Sequence, residues 1–145
     1  MKHLKLFESF SQTAYQTWYP EAIEIIKDRL VNLIDVDNVL VSKTDVGLRV
    51  HPNDPLQKGL TIIIKKIYPI QFTDSEIDDI ISMINHLKLI KLVIYRTDVG
   101  YSLRDPKRGG TMLESFNLNS NTDLERFSKL LKTKYIREIE IKIGE

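Results

Sequence analysis

The sequence predicts an α+β protein: a curved, mainly antiparallel sheet with helices packed on one face. Three observations predict it. The tetrapeptide Thr-Asp-Val-Gly occurs twice, at residues 44–47 and 97–100, each time after a basic residue, Lys43 or Arg96. Both copies lead, in the same order, to Asp-Pro, to a basic residue beside Gly, and to a Thr-x-x-Glu sequence, Thr73 to Glu76 and Thr122 to Glu125. Between these landmarks, stretches of β-branched or alternating residues give way to apolar residues at helical spacing. The expectation is a β-β-β-α unit used twice and related by a pseudo-twofold axis, with a helix before it and a strand after it.

In chain order, residues 1–19 are read as an arm or short helix, because Leu4, Phe7 and Ser11 recur at helical spacing with Leu6 and Phe10 beside them. Residues 20–35 are read as a helix. Pro20 suits its first turn, Ile23, Ile26, Leu30 and Leu33 form its apolar stripe, and Glu21 and Glu24 complement its positive end. The first unit covers residues 38–88: a hairpin turning at Asp45-Val-Gly47, a β-branched strand over 60–66, and a helix capped by Thr73 and Glu76 with Ile77, Ile80, Ile81, Ile84 and Leu87 on one side. The second unit covers 91–134: a hairpin turning at Asp98-Val-Gly100, with Tyr101 and Leu103 on its return, a strand over 112–118, and a helix capped by Thr122 and Glu125. The final strand, 135–143, alternates Ile139, Ile141 and Ile143 with Glu138, Glu140 and Lys142.

Composition bounds the function. A chain of 145 residues, 42% hydrophobic and 28% charged, suits one globular domain over 1–145. A formal net charge of +1 gives no global pull toward nucleic acid or an anionic membrane. With no cysteine, disulfides, thiolate chemistry and Cys-based metal sites are excluded. No apolar run approaches the roughly 20 residues that span a bilayer, and Lys5 and Glu8 interrupt the start of the chain where a secretory signal would be continuous. A cytoplasmic protein is expected.

The basic loop Arg104-Asp-Pro-Lys107-Arg108-Gly-Gly110 can present side-chain charge and backbone N–H groups to an anion, with Arg96 nearby on its hairpin. The first unit carries a weaker counterpart in Arg49, His51, Lys58 and Gly59. Two such loops about a pseudo-twofold would suit a nucleotide-like ligand such as a cyclic dinucleotide. No nucleotide-binding signature accompanies them. Asp45 and Asp98 are either paired carboxylates or caps of their own turns, and turn capping is the simpler role. His3, His51 and His86 have no metal-ligand spacing, and no metal or cofactor is expected. Phe7, Phe10, Trp18 and Tyr19, with Tyr15, form an aromatic group that either closes one end of the core or anchors a partner protein.

The segment Glu138-Ile-Glu140-Ile-Lys142 resembles the acid-x-Lys element of a family of metal-dependent nucleases, which also needs an acid from a neighbouring strand. The opening Met-Lys-x-Leu-Lys-Leu-Phe-Glu-Ser-Phe resembles the N-termini of small proteins of large tailed bacteriophages, some of which are targeted to the capsid by such a segment. That resemblance covers ten residues and implies a phage or mobile-element origin, in the host cytoplasm or the virion. The expected function is a non-enzymatic binding protein for a partner protein or a small anionic ligand, with self-association also open. A partner protein would use the Trp18 neighbourhood or an open sheet edge. The alternatives are a metal-dependent phosphoester or nucleotide hydrolase built on Asp45, Asp98 and His51, and a structural or packaged virion protein.

Overall fold

In the computed structural model of the protein, which describes residues 5–7, 18–36, 38–46, 57–102 and 110–144, the last strand lies in the middle of the sheet. The elements in chain order are β1 (Lys5–Phe7), α1 (Tyr19–Arg29), α2 (Val31–Val36), β2 (Asn38–Val46), β3 (Gln57–Ile70), α3 (Asp74–Leu89), β4 (Val93–Ser102), β5 (Thr111–Phe116), α4 (Asn121–Thr133) and β6 (Tyr135–Gly144). The sheet order is β1-β2-β3-β6-β4-β5. Every neighbouring pair is antiparallel except β1 and β2, which are parallel. The α+β class, the mainly antiparallel sheet, the leading helix and the closing strand are as the sequence predicts.

The pleat explains the two faces. Val41, Ile62, Ile141, Thr97 and Phe116 stand side by side across β2, β3, β6, β4 and β5. All are buried, as are Val39, Ile64, Ile139 and Val99 in the adjoining row. The helices cover this face. From α1 come Tyr19, Ala22, Ile23, Ile25 and Ile26, from α3 come Ile77, Ile80, Met83, Ile84 and Leu87, and from α4 come Phe127, Leu130 and Leu131. Phe127 meets Phe116 edge-to-face, with ring centroids 5.7 Å apart. Lys43, also on this face, lays its ammonium 4.4 Å from the Tyr19 ring centre.

Helix α3 starts at the expected capping box. Thr73 Oγ1 accepts from the Glu76 N–H at 3.2 Å, and Glu76 Oε1 accepts from the Thr73 N–H at 2.9 Å. The second box is displaced. Ser120, not Thr122, caps α4 by accepting from the Asp123 N–H, and Asp123 in turn accepts from the Asn117 N–H at 2.7 Å. Ser120 adopts the extended backbone a cap needs, while Thr122 is already inside the helix. The expected single helix over 20–35 divides at Leu30, whose φ and ψ of −101° and 17° leave the helical range. Near the N-terminus Lys5–Phe7 form a strand, not a helix: the free edge of β2 offers unpaired backbone groups, and Lys5, Leu6 and Phe7 align with Leu40, Val41 and Ser42.

The largest correction concerns the repeated tetrapeptide. Thr97, Asp98, Val99 and Gly100 lie inside β4, which continues through Tyr101 and Ser102. Thr97, Val99 and Tyr101 are all buried at a period of two, and a hairpin tip would bring Val99 into water. Burial outweighs the turn propensity of Asp and Gly. In the first copy Thr44, Asp45 and Val46 likewise belong to β2, while Gly47 and the return arm of the expected hairpin lie outside the described residues. Each described unit is therefore β-β-α. A twofold axis would put corresponding strands in mirrored positions, yet β2 is separated from β6 by β3 whereas β4 adjoins it. The pseudo-twofold arrangement is not formed.

Gly100 distinguishes the two readings of its segment. An added Cβ there would meet nothing nearer than the Glu138 carbonyl oxygen at 4.0 Å, and Gly100 is not in the left-handed region. Gly100→Ala is expected to stabilise the fold by about 0.5 kcal/mol through loss of unfolded-state freedom. The turn reading requires destabilisation, and the urea midpoint separates them.

Candidate functional site

The helix-free face of the sheet is built from the alternate residues of the same strands. One row runs Leu40, Ile63, Glu140, Asp98 and Ser115, and beside it Lys142 is paired with Arg96. Asp98 is thereby set directly opposite Glu140, with Lys142 two residues along β6. This is the neighbouring-strand acid that the acid-x-Lys resemblance requires. Its surroundings argue against a metal centre. Arg96 Nε donates to Asp98 Oδ1 at 2.9 Å, Ser115 Oγ donates to the same oxygen at 2.5 Å, and Lys142 Nζ is 3.7 Å from Glu140 Oε1. The hydrogen bond from Arg96 to Asp98, backed by the charges of Asp98 and Glu140, pushes the guanidinium above its ordinary pKa. Each carboxylate already has a cation, and among the described residues no group of three or more acidic or histidine side chains could hold a metal ion. The cluster knits β5, β4 and β6 together.

Strand polarity places the other expected residues. Asp45 on β2 and Asp98 on β4 are separated by β3 and β6, at least about 14 Å at ordinary strand spacing, so they form no carboxylate pair. The β2–β3 hairpin leaves the sheet where β6 ends, since Gly59 pairs with Gly144. The β4–β5 hairpin leaves where β6 begins, since Ser102 pairs with Tyr135. These ends are about 30 Å apart along the ten residues of β6, so a single anion pocket shared by the two basic loops has no support in this topology. Arg49, His51, Arg104, Lys107 and Arg108 lie outside the described residues, as does the side chain of Lys58, and Arg96 is engaged by Asp98. Trp18 and Tyr19 are 5% and 7% exposed, their rings edge-to-face with centroids 6.4 Å apart, so they close the core and leave no anchor surface. Phe7 pairs with β2 through its main chain, and Phe10 lies outside the described residues.

Two surfaces stand out: an open cleft of about 430 Å³, which the sequence does not signal, and the β5 edge, which gives the expected open sheet edge its strand. The cleft lies between α1 and α3 and is lined by Arg29, Asp78, Ile81, Ser82, Asn85, His86 and Leu89. Arg29 donates to His86 Nδ1 at 3.4 Å there. Arg29 and His86 lie in the last turns of α1 and α3, where a positive side chain complements the helix dipole.

The β5 edge is more informative. The two edge strands of the sheet are β1, only three residues long, and β5, six residues long, which pairs only with β4 among the described residues. Its Met112 and Leu113 are 45% and 68% exposed. Sheet edges are ordinarily blunted by Lys, Pro or a bulge. Residues 111–116 contain no Lys, Arg or Pro, and the β4–β5 register runs without a shift, unlike those of β3–β6 and β4–β6. Glu114, the sole charge on the strand, points to the helix side, 3.4 Å from Arg126. Comparison with protein-family models, curated proteins and solved structures finds no match to the chain.

Proposed function

We propose that the protein is a non-enzymatic binding protein that recruits an extended segment of a partner protein to the β5 edge. The observation that supports this is the edge itself: six residues of regular strand that pair on one side only among the described residues, with exposed Met112 and Leu113. Main-chain hydrogen bonds would supply affinity. Leu113 on the helix-free face and Met112 on the other would contact successive side chains of the incoming strand, one on each face. Enzymatic readings have less support, since Asp98 and Glu140 on the helix-free face are paired with Arg96 and Lys142.

A random-peptide selection against the intact protein tests the reading. Selected peptides are expected to be extended and to carry two consecutive apolar residues, one for each face of the sheet. Their affinity is expected to fall at least about tenfold, roughly 1.4 kcal/mol, for a Met112→Lys, Leu113→Lys double variant. Both side chains are exposed, so the variant should melt like the parent protein. Peptides that bind parent and double variant equally would refute the edge reading.

A further inference from the structure

Resting on the open-edge reading, we propose that one strand recruited by β5 is β5 of a second copy of this chain. The pairing would be antiparallel about a twofold axis perpendicular to the sheet at Leu113. Such an axis keeps each sheet face continuous, with the helices of both copies on the same side. It places Leu113 opposite Leu113, Thr111 opposite Ser115, and Met112 opposite Glu114. The charge pattern selects this register. Centring on Glu114 would set two carboxylates directly opposite each other, which is destabilising, whereas centring on Leu113 sets no like charges together and covers the most exposed apolar side chain of the strand. The helix-face contacts of β5 are already made within one copy: Arg126 stacks 5.0 Å from the Phe116 ring and reaches Glu114. Two six-stranded sheets would join as one.

Because the chain has no cysteine, single-cysteine variants read the register directly. Directly opposite residues bring Cβ atoms to about 4.5–5.5 Å, within reach of a disulfide after small adjustment. Leu113→Cys is expected to give a covalent dimer on mild oxidation, several-fold faster than Thr111→Cys, whose copies would lie on either side of the axis. Sedimentation of the unmodified protein is expected to show a monomer rising toward twice its mass with concentration, and Leu113→Lys is expected to stay monomeric with an unchanged melting temperature. A strictly monomeric parent protein, or equal cross-linking at positions 111 and 113, would overturn the second-copy proposal. Retained peptide capture by that monomer would show that the open-edge reading survives, and loss of both would show that it does not.

Discussion

Replacing Ile141 by Ala is expected to destabilise the protein by about 4 kcal/mol. Ile141 is fully buried at the centre of β6, with Ile62 of β3 on one side and Thr97 of β4 on the other. Among the described residues β6 is also the strand that joins the β2–β3 hairpin to the β4–β5 hairpin. A cavity here lies in the sheet's central row, where neighbouring strands have little room to collapse. The contrast is Leu113→Ala, which removes an equally apolar side chain at a site 68% exposed and is expected to change stability by less than about 0.5 kcal/mol. Urea denaturation of the two variants checks the pair. Equal losses would mean that β6 is not the central strand.

The second large effect is expected at Glu76. Lys66 Nζ is 2.5 Å from Glu76 Oε2, with side chains only 7% and 15% exposed, and the ammonium lies 4.6 Å from the Phe72 ring centre. Glu76 also closes the capping box of α3. Glu76→Gln keeps a capping side chain but removes the negative charge that meets the Lys66 ammonium, at an expected cost of about 2–3 kcal/mol. Burial alone would raise the Glu76 pKa. The hydrogen bond from Lys66, the Thr73 N–H and the Lys66 charge outweigh it, and the net shift is below the ordinary value of 4.5. A carboxyl depressed in the folded state contributes stability that is complete above its unfolded pKa and is lost as pH falls through the folded one. The difference between parent and Glu76→Gln is therefore expected to be largest at neutral pH and to shrink below about pH 4.5. A difference constant from pH 7 to pH 3, read by denaturant midpoints, would contradict this assignment.

Local patterns carried most of the architecture. The Ile139, Ile141 and Ile143 alternation, the Thr73–Glu76 box and the apolar stripe of α3 each follow from short-range chemistry that tertiary context reinforces. The repeated Thr-Asp-Val-Gly misled because Asp and Gly have strong turn preferences. Only the longer alternation Thr97, Val99, Tyr101 shows that the segment belongs on a strand. The pseudo-twofold axis failed for a different reason: insertion of β6 between β3 and β4 is a long-range choice that no local signal records. The candidate site was hidden by the same choice. That β5 lacks Lys and Pro can be read from residues 111–116, but whether a strand lies at an edge depends on the sheet order. Conversely, a symmetric pair of units implies convergent basic loops, whereas the strand ends that flank them lie at opposite ends of β6.

Residue-level amide exchange across β5 tests recruitment at this edge most directly. In dilute protein the N–H groups of Thr111–Phe116 that point away from β4 are expected to exchange fast, while their inward neighbours are protected by pairing to residues 97–102. Adding a selected peptide, or raising the protein concentration, is expected to slow the outward set and leave α1, α3 and β6 unchanged. Outward β5 amides already protected in dilute protein would show the edge to be covered by the chain itself. Protection appearing elsewhere, with β5 unaffected, would place the binding surface on another part of the molecule.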